Sequence, residues 1–208
     1  MDSKRKKALL LISGGFDSPV AGKIAQKEFN IQAIHFSQEP FTDNAPELKA
    51  GALCKKLGLK EMNVAKAGQE FKTIAEECSR EYYFVLIKIF MLRVSERFAE
   101  QNKIKFLITG ESLGQVSSQT LSNLNTLNNS VKIQVLRPVL FLEKQEIIDK
   151  SIEDGFFETA KGPEMCDALA SGSPKTKTKA WYVEGELKKC KMNELIENTI
   201  NKIVKIKL

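Results

Sequence analysis

The sequence predicts an α/β fold of three layers, in which a parallel, Rossmann-like sheet lies between two layers of helices. Short apolar runs alternate along the chain with stretches of helical periodicity, which is the pattern of βαβ units. The first apolar run stops at a pair of glycines and a helix start follows, an arrangement with which α/β proteins build anion sites. The length of 208 residues, with 42% apolar and 28% charged residues, suits a single globular domain.

The individual elements follow from the same alternation. The predicted strands are the runs ALLLIS, IQAIHFS, KEMNVA, KFLITG and IQVLRPVL. The predicted helices lie at residues 19–29, 46–57, 75–102 and 143–154. Polar stretches at 110–132 and 156–179 interrupt the alternation and are predicted to be loops, and loops of such length are commonly functional or disordered.

Residues 181–208 are predicted to form a helical extension packed on a domain made of residues 1–180. An amphipathic pattern begins near Tyr182. Its apolar residues are Leu187, Leu195, Ile196, Ile200 and Ile203. This side is expected to pack against the sheet or against a second copy of the chain in a homodimer. Trp181 and Tyr182 follow the lysine-rich stretch KTKTK; anchoring of the C-terminal helix is the favoured role for both rings, and stacking on RNA is the alternative.

Composition limits the partners and the compartment. A net charge of +6 and a pI near 9.0 favour a polyanionic partner, although a lysine-rich composition alone gives such values. No apolar run is long enough to span a bilayer, and the run at 8–12 leads into a glycine turn rather than forming a signal peptide. We therefore expect no membrane association and a cytoplasmic location with reduced thiols.

The cysteines do not form a recognisable framework. The four cysteines are Cys54, Cys78, Cys166 and Cys190. Because no two of them have Cys-x-x-Cys spacing, neither a zinc site nor a set of disulfides is indicated.

The glycine turn after the first strand reads SGGFDS, residues 13–18. Its two glycines lack a Cβ, so backbone N–H groups can close around phosphate oxygens. Its two serines offer hydroxyl groups, and Ser18 is expected to cap the following helix, with Pro19 in the first turn and the positive helix end facing the anion. Asp17 suits an anion site only if it binds a metal held by the phosphates or orients a group there.

Two common phosphate motifs do not fit this turn. A Walker A motif needs Gly-Lys-Ser/Thr four residues after its first glycine, whereas the next Gly-Lys pair, Gly22-Lys23, comes too late and is followed by Ile24. The dinucleotide motif G-x-G-x-x-G fails because Gly14 and Gly15 are adjacent.

The SGGFDS turn resembles the pyrophosphate loop (PP-loop) of ATP pyrophosphatases, which cleave ATP between its α and β phosphates and adenylate a substrate. The longer stretch LISGGFDSPVA is similar to that of the tRNA 4-thiouridine synthetases, the ThiI family. The stretches that match the family in the same order are KIFMLRVSERFAEQNKIKFLITGESLGQVSSQTLSNL, VLRPVLFLEKQEII and PEMCDALASGSPKTK. The resemblance runs from about Leu9 to Lys179, and it implies an adenine nucleotide alpha hydrolase-like fold.

The resemblance implies a site for ATP with Mg²⁺ and assigns no separate set of protein metal ligands. The phosphates are expected to contact Ser13, Gly14, Gly15, Asp17 and Ser18. Leu11, Ile12, Phe36 and Ser37 are expected to line the adenosine. Lys88 matches a basic position of the nucleotide site, Gly110 lets the backbone approach the nucleotide, and Gln119 makes a polar contact with it.

The catalytic residues implied by the resemblance are Asp17, Lys144 and Cys166. In the first implied step, the C4 oxygen of a tRNA uridine attacks the α-phosphate and pyrophosphate leaves; Lys144 would offset the charge of the departing group. In the second step sulfur displaces AMP, and Cys166 accepts a persulfide or resolves the linkage to the sulfur donor. An iron–sulfur cluster that joins Cys78 and Cys190 to Cys166 finds no support in the spacing. His35, the only histidine, is given no chemical role.

The resemblance does not extend to the other domains that ThiI proteins usually carry. The match begins at the first strand, so THUMP and rhodanese-like domains are expected to be absent. We therefore expect tRNA to be captured by a separate RNA-binding protein or by the basic surface, and sulfur to come from a persulfide donor such as a cysteine desulfurase. The alternatives are an adenylating or thiolating enzyme of the same superfamily that acts on another substrate, and a nucleotide-binding subunit without catalysis.

Overall fold

The computed structural model describes residues 5–114, 119–162 and 175–208, which form a six-stranded sheet between two layers of helices. The strands are β1 (Lys6–Leu11), β2 (Phe29–Ser37), β3 (Glu61–Lys66), β4 (Phe106–Ile108), β5 (Gln134–Leu136) and β6 (Ile203–Lys207). Their order across the sheet is β5-β4-β1-β2-β3-β6, and all neighbours are parallel except β3 and β6. The predicted fold class is confirmed, with one antiparallel strand added at the edge.

The helices cover both faces of this sheet. Their bounds are α1 (Asp17–Ala25), α2 (Ala45–Lys56), α3 (Gly68–Glu77), α4 (Tyr83–Gln101), α5 (Leu121–Asn129), α6 (Lys144–Glu153), α7 (Phe157–Ala160), α8 (Ala180–Lys189) and α9 (Met192–Ile200). Helices α1, α2, α6 and α7 pack on one face, and α3, α4, α5, α8 and α9 pack on the other. In the described part of the chain, none of these helices has the length and apolar character needed to cross a membrane.

Strand β1 shows why the sequence requires two covering layers. Leu9 and Leu11 point into the core beneath α4, whereas Ala8 and Leu10 point into the core beneath α1 and α2. All four are buried, so both faces of the strand must be covered by helices. The chain leaves β1 toward β2 and β3 on one side and later returns to β4 on the other. This reversal of order between β1 and β4 opens a crevice at the carboxyl ends of the two strands, where ligands bind in such sheets.

The C-terminal region differs from the single predicted helix. Two helices, α8 and α9, are separated at Lys191, whose left-handed backbone (φ 51°) ends the first helix. The chain then turns into β6, which pairs antiparallel with β3. Ile203, predicted on the apolar side of a helix, is the first residue of this strand. The β-branched run Ile203-Val204 favours extended backbone, and the exposed edge of β3 supplies the hydrogen bonds for it.

Three further predictions of local structure need correction. The predicted helix at 75–102 is interrupted at Cys78 and Ser79, whose extended backbones separate α3 from a short 3-10 turn and α4. The predicted loop at 110–132 contains α5, which starts where Thr120 caps the helix by accepting a hydrogen bond from the Asn123 N–H at 3.2 Å. The predicted helix at 19–29 begins earlier and ends earlier, because Phe29 starts β2.

Candidate active site

The SGGFDS loop, residues 13–18, connects β1 to α1 and is closed by its own serines. The Ser13 N–H donates to Ser18 Oγ at 2.9 Å, and the two hydroxyl oxygens lie 3.1 Å apart. The Gly15 N–H donates to Ser13 Oγ at 3.3 Å. These bonds fix the bend through which the chain passes from the sheet into the helix.

Helix α1 begins before the residue that was predicted to cap it. Phe16 is the N-cap and Asp17 is the first helical residue, so Ser18 lies inside the first turn and the prediction that it caps the helix is wrong. Within the described residues, no side chain caps α1. The N–H groups of the first turn and the positive end of the helix dipole are therefore left for an anionic ligand.

Gly110 is required by packing at the start of α1. A Cβ at this position would lie 2.5 Å from Ser18 N and 2.6 Å from the carbonyl carbon of Asp17. Any side chain would therefore push α1 away from the end of β4. Gly110 was predicted to let the backbone approach the nucleotide, whereas in the structure its close neighbour is the backbone of α1.

Lys49, on α2, is a site residue that the sequence analysis missed. A Cβ at Gly14 would contact the Cβ and Cδ atoms of Lys49 at 3.3 and 3.4 Å, so this side chain lies directly against the SGGFDS loop. The Lys49 ammonium donates to the carbonyl oxygen of Lys161 at 3.1 Å, and it forms no ion pair among the described residues. A cation without a counter-ion beside the loop suits a phosphate group.

Asp17 and Lys144, both predicted to be catalytic, are in contact. Lys144 Nζ lies 3.1 Å from Asp17 Oδ1 and 5.5 Å from the centre of the Phe16 ring. Lys144 is the first residue of α6, whose N-terminus is fixed by a capping box between Glu143 and Glu146. A positive charge therefore lies at the N-terminus of α1. The residue that carries it is more than a hundred positions away in the chain.

The Lys88 side chain reaches from α4 to the end of β4, where it joins a largely buried cluster of charges. Its ammonium is 3.0 Å from Glu111 Oε1, and Arg137 Nε donates to Glu111 Oε2 at 2.7 Å. The Thr109 hydroxyl donates to the same Oε2 at 3.2 Å. Burial alone would raise the pKa of Glu111, but the charges of Lys88 and Arg137 outweigh it and hold this pKa below its usual value.

Glu111 and Arg137 were not among the residues predicted for the site. Both lie within stretches that carry the family resemblance, TGES and VLRP. Because a charged side chain is most often on the surface, the sequence gives no sign that these two are buried against each other. Only the pairing of β4 with β5 brings them together.

Gln119 was predicted to contact the nucleotide, and in the structure it closes the turn that follows β4. Its side-chain oxygen accepts from the Ser112 N–H at 3.1 Å, and its backbone oxygen accepts from the Gly114 N–H at 2.9 Å. The Ser112 hydroxyl donates to the carbonyl oxygen of Leu142 at 2.9 Å, which ties this turn to the residues before Lys144.

The residues predicted to line the adenosine lie at the ends of β1 and β2 and are buried. They are Leu11, Ile12, Phe36 and Ser37. Phe36 packs edge-on against Phe90, with 6.4 Å between ring centres, and Ser37 accepts a hydrogen bond from the Glu39 N–H at 3.3 Å. Their side chains thus contribute mainly to the core.

His35 lies between the two strand ends as a neutral core residue. Its Nδ1 lies 3.0 Å from the carbonyl oxygen of Ile12, and burial lowers its pKa although this hydrogen bond acts in the opposite direction. This environment agrees with the absence of a predicted chemical role.

Cys166 falls outside the described residues, but the chain that leads to it lies beside the SGGFDS loop. The Phe157 ring of α7 stacks on Phe16 with 5.4 Å between ring centres, and Lys49 holds the carbonyl oxygen of Lys161. The described residues that precede this segment therefore end next to the candidate phosphate site.

The other three cysteines are buried thiols. Burial raises the pKa of Cys54 to about 12. Cys78 and Cys190 are hydrogen-bonded neighbours beneath α8, where this contact and burial raise the pKa of Cys78. In the described ranges, no three His, Cys, Asp or Glu side chains are grouped as a metal site would require.

The sheet is mostly parallel, and a glycine bend leads from β1 into α1, for which no described side chain forms a cap. These features define an α/β domain of adenine nucleotide alpha hydrolase-like fold. The family model described as "Thiamine biosynthesis protein (ThiI)" matches residues 3–192. The chain therefore belongs to the ThiI family, as the sequence motifs indicated.

Individual relatives agree with this assignment. A probable tRNA sulfurtransferase of Oceanobacillus iheyensis is 37% identical over 209 residues, which are 97% of this chain and 52% of the relative. The crystal structure of a 4-thiouridine synthetase–RNA complex with bound ATP is similar with a TM-score of 0.91 and 27% identity, over 98% of this chain and 55% of that one. The NH3-dependent NAD synthetase of Campylobacter jejuni, at 14% identity and a TM-score of 0.54 over 97% and 86% of the two chains, shares the fold. The chain spans about half the length of the curated relatives it matches.

Proposed function

We propose that this chain carries out ATP-dependent thiolation of a uridine in tRNA. The observation that carries the proposal is the contact of Lys144 with Asp17 at the N-terminus of α1, beside the SGGFDS loop. A relative named tRNA sulfurtransferase and a similar structure that holds both RNA and ATP support the choice of substrate and nucleotide.

The phosphates of ATP would bind at the SGGFDS loop. The N–H groups of the loop and of the first turn of α1 are donors for phosphate oxygens, and Lys49 and Lys144 supply positive charge on two sides of the loop. Mg²⁺ fits these residues, because it prefers one carboxylate together with phosphate oxygens and Asp17 is the carboxylate of the loop. When bound, Mg²⁺ neutralises phosphate charge.

In the first step, the C4 oxygen of the uridine forms a bond to the α-phosphorus, the bond to the β-phosphate breaks, and the N3 proton of the uridine passes to solvent. The products are an adenylated base and pyrophosphate. Negative charge accumulates on the departing pyrophosphate, and Lys144 can stabilise it once the phosphates compete with Asp17 for its ammonium. The helix dipole of α1 acts on the same charge.

In the second step, sulfur forms a bond to C4 and the oxygen leaves as part of AMP. The attacking sulfur is the outer sulfur of a persulfide, so the base is then joined to the donor cysteine by an S–S bond. A second thiol attacks the donor sulfur, the S–S bond to the base breaks, 4-thiouridine is released, and the disulfide left between the two thiols is reduced by an external dithiol. We assign to Cys166 one of these two thiols, so that it either accepts the persulfide or resolves the linkage to the donor. A persulfide donor such as a cysteine desulfurase and a separate RNA-binding protein are the proposed partners. Homodimer formation stays a prediction, which sedimentation of the purified chain can test.

The proposal is tested by measuring pyrophosphate release from ATP with and without an unmodified tRNA transcript. We expect AMP and pyrophosphate as products and a rate that depends on tRNA. Turnover without stimulation by tRNA would favour an adenylating enzyme with a different substrate. Release of ADP and orthophosphate would contradict the adenylation step itself.

A cysteine variant separates the two steps. We expect Cys166→Ser to retain tRNA-dependent pyrophosphate release and to lose formation of 4-thiouridine, measured by mass spectrometry of tRNA nucleosides. Cys54→Ala, which changes a buried thiol on the face covered by α1 and α2, is the matched control and should keep both activities. If Cys166→Ser retained both activities, the role given to this thiol would be wrong.

A further inference from the structure

Two adjacent aromatic residues at the start of α8 have different environments. Tyr182 stacks on Tyr82 with 4.5 Å between ring centres and 28° between ring planes, and Val183 is buried in the core beneath α4. These two residues anchor the helix. Trp181 is 69% exposed, so its indole contributes little to the core. The favoured prediction, in which both rings anchor the helix, is therefore correct for Tyr182 and wrong for Trp181.

The exposed indole contacts the ring of the residue that follows it. Its ring contacts the Tyr182 ring edge to face, at 5.6 Å and 73°, and Tyr182 is itself fixed by Tyr82. An exposed ring with a fixed orientation can stack on a planar ligand at a small cost in side-chain entropy. A single exposed apolar residue is common on proteins, so the identity of the ligand must come from its neighbours.

The neighbours of Trp181 are positively charged. Lys177 and Lys179 are exposed, and neither forms an ion pair among the described residues, whereas Lys175 is held by Glu81 at 2.9 Å. No described side chain caps the N-terminus of α8, which begins at Ala180. Exposed lysines two and four positions before an exposed indole offer charges for the phosphates and a ring for the base of a nucleotide in single-stranded RNA. The net charge of +6 agrees with such a partner.

Hydrogen bonds connect this basic stretch to the candidate active site. The Thr120 hydroxyl donates to the carbonyl oxygen of Thr176 at 2.6 Å, and the Thr126 and Thr178 hydroxyls lie 2.6 Å apart. Residues 175–179 therefore lie along α5. Thr120 directly follows Gln119, which closes the turn after β4, so the basic stretch continues from the rim of the site.

We propose that Trp181, Lys177 and Lys179 form a binding surface for an unpaired nucleotide of the RNA substrate. The base stacks on the indole while the two ammonium groups contact flanking phosphates. This inference rests on the proposed function, since it takes RNA as the substrate, and it adds the place at which this chain holds the RNA.

The sequence contains one tryptophan, so the intrinsic tryptophan fluorescence of the full chain reports on Trp181 alone. We expect an unmodified tRNA transcript to quench this fluorescence saturably, with the same midpoint as binding measured by filter retention. Trp181→Ala should weaken tRNA binding about 5- to 150-fold, the loss expected for one stacked base, and Trp181→Phe should retain most of the affinity. The tRNA concentration that gives half-maximal pyrophosphate release should rise by a similar factor in Trp181→Ala and stay close to that of the unmodified chain in Trp181→Phe.

Charge variants test the second part of the surface. Lys177→Ala and Lys179→Ala should each weaken tRNA binding. Each should also make the negative slope of log affinity against log salt less steep by about 0.7–0.9. Lys188→Ala, in the last turn of α8, is the matched control and should leave both quantities unchanged.

The outcomes separate this inference from the proposed function. If tRNA stimulates pyrophosphate release but neither quenches Trp181 nor loses affinity for Trp181→Ala, the RNA binds elsewhere and only this inference is overturned. If the sulfur donor protein quenches Trp181 and tRNA does not, the surface is a protein contact and the inference is again overturned. If tRNA neither binds nor stimulates release, the proposed function fails together with it.

Discussion

Lys88, predicted for the nucleotide site, and Lys144, predicted to be catalytic, form ion pairs that differ in exposure to solvent. The side chains of Lys144 and Asp17 are 48% and 28% exposed, and Lys144 has one carboxylate partner. Those of Lys88 and Glu111 are 25% and 10% exposed, and Arg137, which is 6% exposed, completes the cluster. The first pair can open at small cost when phosphates arrive, because exposed pairs contribute only about 0–1 kcal/mol. The second must stay closed, because an unpaired buried charge is costly.

This difference in exposure predicts different roles for the two lysines. In the proposed reaction, Lys144 would exchange Asp17 for a phosphate group, because its pair is exposed. Lys88 is fixed by Glu111 and supports the turn at the end of β4, against which α1 packs through Gly110. Sequence motifs identify both residues only as positively charged. The structure distinguishes them, because the Lys144 pair is exposed and the Lys88 pair is largely buried.

Breaking the buried cluster should have the largest effect. Glu111→Ala leaves Lys88 and Arg137 without their carboxylate, and we expect the free energy of unfolding to fall by about 3–5 kcal/mol, measured by urea denaturation. Glu100→Ala, which removes one side of the exposed Arg97–Glu100 pair on α4, is the control and should cost less than about 1 kcal/mol. Equal effects of the two substitutions would remove the distinction between the pairs.

Breaking the exposed pair should affect the reaction instead of the fold. Lys144→Met removes the cation next to the departing pyrophosphate, and we expect pyrophosphate release to fall about 10²- to 10³-fold. The free energy of unfolding should change by less than about 1 kcal/mol. Lys150→Met, on the same helix, should keep full activity. A Lys144→Met protein that released pyrophosphate at the normal rate would show that this charge is not used.

The pH dependence of stability should show the smallest effect. Because the folded-state pKa of Glu111 is lowered from 4.5, its contribution to stability is complete above pH 4.5 and is lost as the pH falls through the folded value. Below pH 4.5 the free energy of unfolding of the unmodified chain should therefore fall more steeply than that of Glu111→Gln. Parallel curves would mean that Lys88 and Arg137 do not stabilise the charged form of Glu111.

The sequence was sufficient for the parts of the fold that depend on local patterns. Short apolar runs identified β1 to β5, and the glycine bend identified the connection from β1 to a helix, although α1 begins two residues before the predicted start. The pattern failed at β6, because Ile200 and Ile203 continue a helical spacing into a segment that pairs with β3. Strand formation there depends on an edge that is more than a hundred residues away in the chain.

The candidate site shows the same limit. Motifs identified Asp17 and Lys144, which the structure brings into contact. Lys49 was missed because its contacts with Gly14 and Lys161 join three separate segments. Trp181 and Tyr182 could not be distinguished, since neighbouring residues on a helix point about 100° apart and only the packing of α8 decides which ring is covered.

The return of the C-terminus to the sheet limits how two copies of this chain could associate. Strand β6 covers the edge of β3 and becomes the new outer strand, on which Lys205 and Lys207 lie, with Lys205 Nζ 3.3 Å from Glu61. Lysines on an outer strand disfavour pairing with a further strand, and the opposite outer strand, β5, is only three residues long. A dimer in which the two sheets pair edge to edge into twelve strands is therefore disfavoured. A second copy would instead contact this one through the helical layers.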